Sequence, residues 1–114
     1  MKIELPWLDP RLSPNKGTHW GKKSKLKKIR KNNAFWFAKE QKTPTVRDKY
    51  HLSIVFHPPG NYGYDADNAL ATIKAEVDGI ALAWGVNDKH FIYDHISIGD
   101  THKGGKIIIE LKDQ

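Results

Sequence analysis

The chain has 114 residues, enough to bury one hydrophobic core but too few for a separate regulatory module, so we expect a single domain over residues 1–114. It contains no cysteine, which excludes disulfide bonds and thiolate metal sites. The N-terminus lacks the apolar core of a signal peptide, and no run of about 18 apolar residues occurs, so we expect a cytoplasmic protein without membrane contact.

The net charge of +6 is distributed unevenly along the chain. The segment between Asp9 and Glu40 contains ten basic residues and no acidic residue, whereas the remaining nine Lys and Arg accompany thirteen acidic residues. This division predicts an electropositive surface that suits a polyanion, together with a separate acidic site.

The first half of the chain predicts a strand, a loop, a helix and a second strand. Residues 3–7 alternate apolar and polar side chains, and the segment from residue 10 to 21 contains the prolines and glycines of a loop. Ser24 is a suitable N-cap, and apolar residues follow at helical steps, which predicts a helix from about 24 to 42. Its predicted stripe consists of Leu26, Ile29, Asn33, Trp36 and Phe37. Alternation from Tyr50 to Phe56 predicts the second strand.

The second half predicts another helix and two more strands. From Asp67 to about Gly85 the apolar residues share one helical stripe, which consists of Leu70, Ile73, Val77, Ile80, Ala81 and Trp84. Residues 91–98 and 106–112 predict strands, and the Lys103-Gly104-Gly105 turn between them predicts a hairpin. The order β-α-β-α-β-β predicts an α/β (α+β) fold, with a single mixed sheet of about four strands and two helices.

Acidic residues concentrate between Asp65 and Asp94, where six carboxylates accompany two lysines. Hydrolysis of a phosphodiester is commonly assisted by a hard divalent cation, and Mg²⁺ takes oxygen ligands from a few carboxylates, waters and the substrate. In an extended backbone the side chains of Asp65 and Asp67 would point to the same side, where they could share a cation. Asp88 lies beyond the far end of the second helix, and it could join them if that helix packs against the next strand.

Lys74 faces the same direction as Asp67 on a helical wheel, in a polar stripe that also contains Ala71 and Asp78. A lysine at this position could bind a phosphate oxygen or stabilise the charge that develops in the transition state. The alternative is structural. Asp67 would then be only an N-cap, and Lys74 would form a surface ion pair with Asp78 that is worth at most about 1 kcal/mol.

Several of these residues together resemble a known signature. They are Asp65-Ala66-Asp67-Asn68, Lys74, Asp78-Gly79 and Gly85-Val86-Asn87-Asp88. The pattern resembles that of the RusA family of Holliday junction resolvases (crossover junction endodeoxyribonucleases), although Lys74 follows the motif nearly one helical turn later than in the type member. The resemblance implies Mg²⁺- or Mn²⁺-dependent cleavage of four-way DNA junctions by a bacterial or prophage-encoded homodimer. It also implies that Asp65, Asp67 and Asp88 bind the metal and that Lys74 assists at the phosphate.

The basic loop and helix, at about residues 10–42, are the predicted DNA-binding surface. The predicted phosphate contacts are Lys16, Lys22, Lys23, Lys25, Lys27, Lys28, Arg30 and Lys31. The alternative is a lysine-rich face that serves only solubility. Of the aromatic residues 35–37, one is predicted in the core and another at a dimer interface, with stacking on unpaired junction bases as the alternative. His19 and Trp20, in the predicted loop, could also touch a ligand.

The six histidines lack zinc-ligand spacing and no phosphate-binding glycine loop is present, so neither a zinc site nor a nucleotide cofactor is expected. The chain is therefore predicted to be a homodimeric endonuclease that cleaves four-way junction DNA in recombination and repair, using water activated at an Asp-bound Mg²⁺. Two alternatives stay open. One is a junction-binding protein without catalysis, and the other is a metal-dependent nuclease for other branched DNA such as flaps.

Overall fold

The computed structural model describes residues 1–14 and 16–113, which form four strands and three α-helices. The strands are β1 (Lys2–Pro6), β2 (Tyr50–His57), β3 (Phe91–Ile98) and β4 (Lys106–Leu111). The helices are α1 (Trp20–Lys39), α2 (Ala66–Thr72) and α3 (Lys74–Trp84), and short 3-10 turns span Pro10–Leu12 and Asp88–His90. The predicted fold class, a mixed α/β arrangement with one four-stranded sheet, is confirmed.

The sheet has the strand order β1-β4-β2-β3. β4 pairs antiparallel with both β1 and β2, whereas β3 pairs parallel with β2 at the edge of the sheet. The predicted hairpin between β3 and β4 is therefore wrong. Every second residue of β4, Ile107, Ile109 and Leu111, is buried, and a central position in the sheet provides that burial more fully than an edge position beside β3 would.

One face of the sheet packs against the helices. In β2 the buried residues Tyr50, Leu52, Ile54 and Phe56 alternate with half-buried residues, as the two-residue period of a strand requires. These side chains join the buried residues of β4 and α3 in one hydrophobic core. Within the described chain, no helix is both long enough and apolar enough to cross a bilayer.

Helix α1 begins earlier than predicted and buries a different face. His19, not Ser24, is its N-cap, and the His19 Nδ1 accepts a hydrogen bond from the Gly21 amide at 3.2 Å. The fully buried residues are Ala34 and Ala38, which contact the core through small side chains. The predicted stripe is confirmed only in part: Phe37 packs against the core, but Ile29 and Trp36 are 49% and 59% exposed.

Small residues on both helices allow α1 and α3 to pack closely. A β-carbon at Gly79 of α3 would overlap the carbonyl oxygen of Lys31 in α1 and would lie 3.1 Å from the backbone nitrogen of Phe35. The main chain of α3 therefore touches the main chain of α1 at this point. The crossing places the basic face of α1 beside the N-terminal half of α3.

The predicted second helix is divided in two. Its backbone departs from helical geometry at Ile73 (φ −99°, ψ 20°), so that α2 ends at Thr72 and α3 begins at Lys74. The predicted apolar stripe is nevertheless confirmed, since Ile73, Val77 and Ile80 are all fully buried. The predicted end near Gly85 is also confirmed, and the positive φ of 70° there explains why the position suits glycine.

Candidate functional site

Lys74 is the first residue of α3 and directly follows Ile73, the single residue that separates α3 from α2. The positive end of α3 and the negative end of α2 meet here, so their partial charges oppose each other. Ile73 is apolar and offers no side-chain cap. Two carboxylates pair with Lys74: its ammonium donates to Asp78 Oδ1 at 2.9 Å and also to Asp88 Oδ2.

The same contacts keep the cluster charged. The hydrogen bond from Lys74 lowers the pKa of Asp88 below its ordinary value. Partial desolvation acts to lower the pKa of Lys74, but the hydrogen bonds to Asp88 and Asp78 outweigh it, so the pKa is raised. A protonated lysine and an ionised aspartate therefore stand together on the surface at neutral pH.

Asp67 and Asp88 line one open pocket of about 440 Å³ together with Lys74; we call it the carboxylate pocket. Its walls consist of Asp67, Leu70, Ala71, Lys74, Val77, Asp88 and Tyr93. The prediction that Lys74 and Asp67 face the same direction is confirmed, and the break at Ile73 does not change it. Asp88 enters from the 3-10 turn that precedes β3, so residues from α2, α3, this turn and β3 meet here.

Asp65 has a different environment. It is the N-cap of α2, and its Oδ1 accepts hydrogen bonds from the amides of Asp67 at 2.8 Å and Asn68 at 3.3 Å. The expectation that Asp65 and Asp67 share one side of an extended backbone is wrong, because Asp67 already lies in the first turn of the helix. Asp65 flanks the carboxylate pocket in sequence, but its side chain is not part of the lining.

The pocket contains some of the oxygen ligands that a hard divalent cation requires. Among residues 1–14 and 16–113, no three His, Asp or Glu side chains form a preformed metal site. Asp67 and Asp88 nevertheless present carboxylates to one open pocket, and Mg²⁺ is usually held by one or two carboxylates together with waters and substrate oxygens. The two residues suited to hold a cation are therefore Asp67 and Asp88.

A second depression, of about 460 Å³, runs between α1 and the α2–α3 segment; we call it the lysine groove. The α1 side contributes Lys23, Ser24, Lys27, Lys28 and Lys31, the opposite side contributes Ala71, Thr72, Lys74, Ala75 and Asp78, and Leu12 and Pro14 close one end. Four of the eight predicted phosphate contacts thus line a common groove. Lys16, Lys22 and Lys25 are exposed at other positions.

The lysine groove and the carboxylate pocket adjoin each other. Ala71 and Lys74 belong to the lining of both, so Lys74 stands at the boundary between the basic wall and the two aspartates. A polyanion whose phosphates contacted the lysines of α1 in turn would reach the carboxylate pocket at Lys74. The basic segment and the acidic segment of the sequence therefore meet in space.

Arg30 differs from the lysines around it. Its Nε donates to Glu76 Oε2 at 3.2 Å, and its Nη2 donates to the carbonyl oxygen of Trp7 at 2.6 Å. Glu76 is buried, and its Oε1 has no hydrogen-bond partner among the described residues. Burial raises the pKa of Glu76, with Arg30 acting in the opposite direction. Arg30 thus holds the fold together instead of facing the groove.

Two contributions to these sites were not predicted from sequence, Tyr93 and the Arg30–Glu76 pair. Tyr93 reaches the carboxylate pocket from β3, and burial raises its pKa, so its hydroxyl stays protonated. The surface ion pair of Lys74 with Asp78, the structural alternative given by the sequence, does form, and Asp88 shares the same ammonium. The Arg30–Glu76 pair had a detectable signal, because Glu76 falls beside the apolar stripe of its helix, where a carboxylate requires a partner.

The fold and the site together define a mixed α/β protein with a basic groove that leads to a carboxylate pocket. No family model matches the chain. An uncharacterized protein of Xylella fastidiosa is 32% identical over 113 residues, which cover 96% of this chain and 74% of the relative. The chain belongs to the same family as this Xylella protein.

Proposed function

We propose that the chain is a metal-dependent endonuclease for branched DNA, a Holliday junction resolvase of the RusA type. The observation that carries the proposal is the shared boundary of the lysine groove and the carboxylate pocket at Lys74. Lysines of α1 bind the phosphates of one DNA arm by charge, without reading its bases. The bound strand then presents a phosphodiester to Asp67 and Asp88.

The cation in this proposal is Mg²⁺, for which Mn²⁺ substitutes. Held by Asp67 and Asp88, it would neutralise phosphate charge and make a bound water more acidic. Asp65 would join them only by turning from its helix cap. Lys74 contacts a non-bridging phosphate oxygen and stabilises the charge that builds during cleavage. If Asp88 served as a ligand to the cation, Asp78 would keep the Lys74 ammonium in place, because its hydrogen bond to Lys74 does not involve Asp88.

Cleavage of a four-way junction requires two cuts at positions related by two-fold symmetry. A homodimer supplies two identical sites in that relation, so we propose a two-fold dimer. The proposed setting is the cytoplasm of a bacterium, where the protein acts on recombination and repair intermediates, and a prophage is the proposed source of its gene.

A second candidate is a junction-binding protein without catalysis. The observation that favours it is the pairing of Asp88 with Lys74, since the ammonium already neutralises a carboxylate that a cation would need. This protein would keep the lysine groove and its affinity for branched DNA, but it would not respond to Mg²⁺ or Mn²⁺.

The deciding experiment incubates the purified protein with a synthetic four-way junction and Mg²⁺ or Mn²⁺. We expect paired nicks near the branch point, and we expect Asp67→Asn to abolish them while junction binding remains. The matched control is Asp94→Asn, because Asp94 is an exposed aspartate that pairs with His51 away from the pocket. A junction that stays intact with either metal would rule out the nuclease. Equal cleavage of flaps and four-way junctions would instead assign a broader branched-DNA nuclease.

A further inference from the structure

Trp20 presents an indole ring to solvent at the first position of α1. The residue is 78% exposed, which is unusual for a large aromatic side chain. The His19 imidazole stacks on it, with ring centroids 5.9 Å apart and an interplanar angle of 28°. His19 is itself held by the helix cap, since its Nδ1 accepts the Gly21 amide. The His19 ring therefore flanks the indole at an offset, and most of the indole surface lies in solvent.

Trp20 lies in line with the lysines of the groove. At about 100° per residue, Lys27 and Lys31 fall within about 20° of Trp20 around the α1 axis. Both lysines line the groove, so Trp20 extends their row at the N-terminal end of the helix. The other exposed tryptophan of α1, Trp36, is about 160° away around the axis. The two exposed tryptophans thus face different surroundings.

We propose that Trp20 is a stacking platform for an unpaired or unstacked base of the bound DNA. Within a continuous duplex the bases stack on each other and offer no face to a protein ring, whereas a branch point or a single strand exposes one. An aromatic ring beside a row of phosphate-binding lysines is the arrangement that binds such bases, and it accepts any base because each has a π face. Trp20 would then help the protein to distinguish a discontinuity from ordinary duplex.

This inference rests on the proposed binding of DNA, but not on cleavage. The test therefore measures binding in EDTA, with a four-way junction, a single strand and a duplex of equal length as probes. We expect Trp20→Ala to weaken binding of the single strand and the junction by roughly 5- to 150-fold, the range for loss of one base–aromatic contact, and to leave duplex binding nearly unchanged. Trp20→Phe should retain most of the affinity. The matched control Trp36→Ala should bind all three probes normally.

Indole fluorescence gives a second readout. The Trp36→Phe protein should show quenching when single-stranded DNA is added, and the Trp20→Phe protein should not. Unchanged affinity of Trp20→Ala for all three probes would overturn the inference, and so would an equal loss on duplex. A change in sedimenting mass for Trp20→Ala alone would also overturn it and would assign the ring to contact with a second copy. Failure of the unaltered protein to bind any probe would remove the proposed function together with the inference.

Discussion

Helix α3 carries two ion-pair clusters that begin only two residues apart, and they differ in exposure. Glu76 and Arg30 form one cluster, with side chains that are 3% and 16% exposed. Lys74, Asp78 and Asp88 form the other, with side chains that are 58%, 39% and 34% exposed. The buried pair takes its partners from the protein interior and leaves one oxygen, Glu76 Oε1, without a partner among the described residues, whereas the exposed cluster can exchange its partners for a ligand.

The buried charges of Arg30 and Glu76 therefore have a structural role, whereas the exposed charges of the Lys74 cluster are available to a ligand. Removal of one partner from a buried pair leaves an uncompensated charge in the interior, but an exposed pair contributes little to stability. Lys74 and its carboxylates can therefore change partners at small cost to the stability of the fold.

Arg30→Met should have the largest effect. The substitution keeps most of the alkyl chain but leaves the Glu76 carboxyl without its partner in the interior, where it must stay charged or take up a proton. We expect a loss of about 3–5 kcal/mol in the free energy of unfolding at neutral pH. Urea denaturation followed by circular dichroism measures it. The control is Lys25→Met, which removes an exposed charge from the same helix. If both variants unfolded at the same urea concentration, the structural role of Arg30 would be refuted.

Lys74→Met should separate activity from stability. We expect junction cleavage to fall by about 10²–10³-fold, as for the loss of one donor to transition-state charge. The free energy of unfolding should change by less than about 1 kcal/mol, because the ion pairs of Lys74 are exposed. Single-turnover cleavage and urea denaturation measure the two quantities. Lys89→Met is the control, since Lys89 is exposed and no wall of the groove or the pocket includes it. Equal activity of the two variants would exclude Lys74 from the reaction.

Glu76→Gln should change how stability depends on pH, and this pH-dependent part should be the smallest of the three effects. Because burial raises the pKa of Glu76 above its ordinary value of 4.5, the folded chain binds this proton more tightly than the unfolded chain does. The stabilisation from this group is complete below the unfolded pKa and is lost as the pH rises through the folded pKa. The unfolding free energy of the unaltered protein minus that of the Gln variant should therefore decline across this window. A difference that stays constant or rises would contradict the raised pKa.

The parts of the site that depend on helical period were predictable from sequence. The burial of Ile73, Val77 and Ile80 follows from the helical spacing of the apolar residues. Helical geometry also predicts that Asp67 and Lys74 face the same direction. The break at Ile73 does not change this, because both side chains still line the carboxylate pocket.

Other features depend on contacts between distant segments. The position of β4 between β1 and β2 is decided by competition among strands, which the turn sequence before it does not reveal. The buried face of α1 is marked by Ala34 and Ala38, while the larger Ile29 and Trp36 are exposed, so side-chain size predicted the wrong stripe. The contact of Asp88 with Lys74 likewise joins residues that helical and strand periods do not relate.

The crossing at Gly79 has a consequence for the shape of the groove. Where α1 meets α3, the backbone at Gly79 contacts the carbonyl oxygen of Lys31. No side chain lies between the two helices at this point, so backbone contact sets their separation. The width of the groove and its charge are therefore independent properties. Substitution of lysines on α1 during evolution can therefore strengthen or weaken the attraction for a polyanion, while the distance between the two walls stays constant.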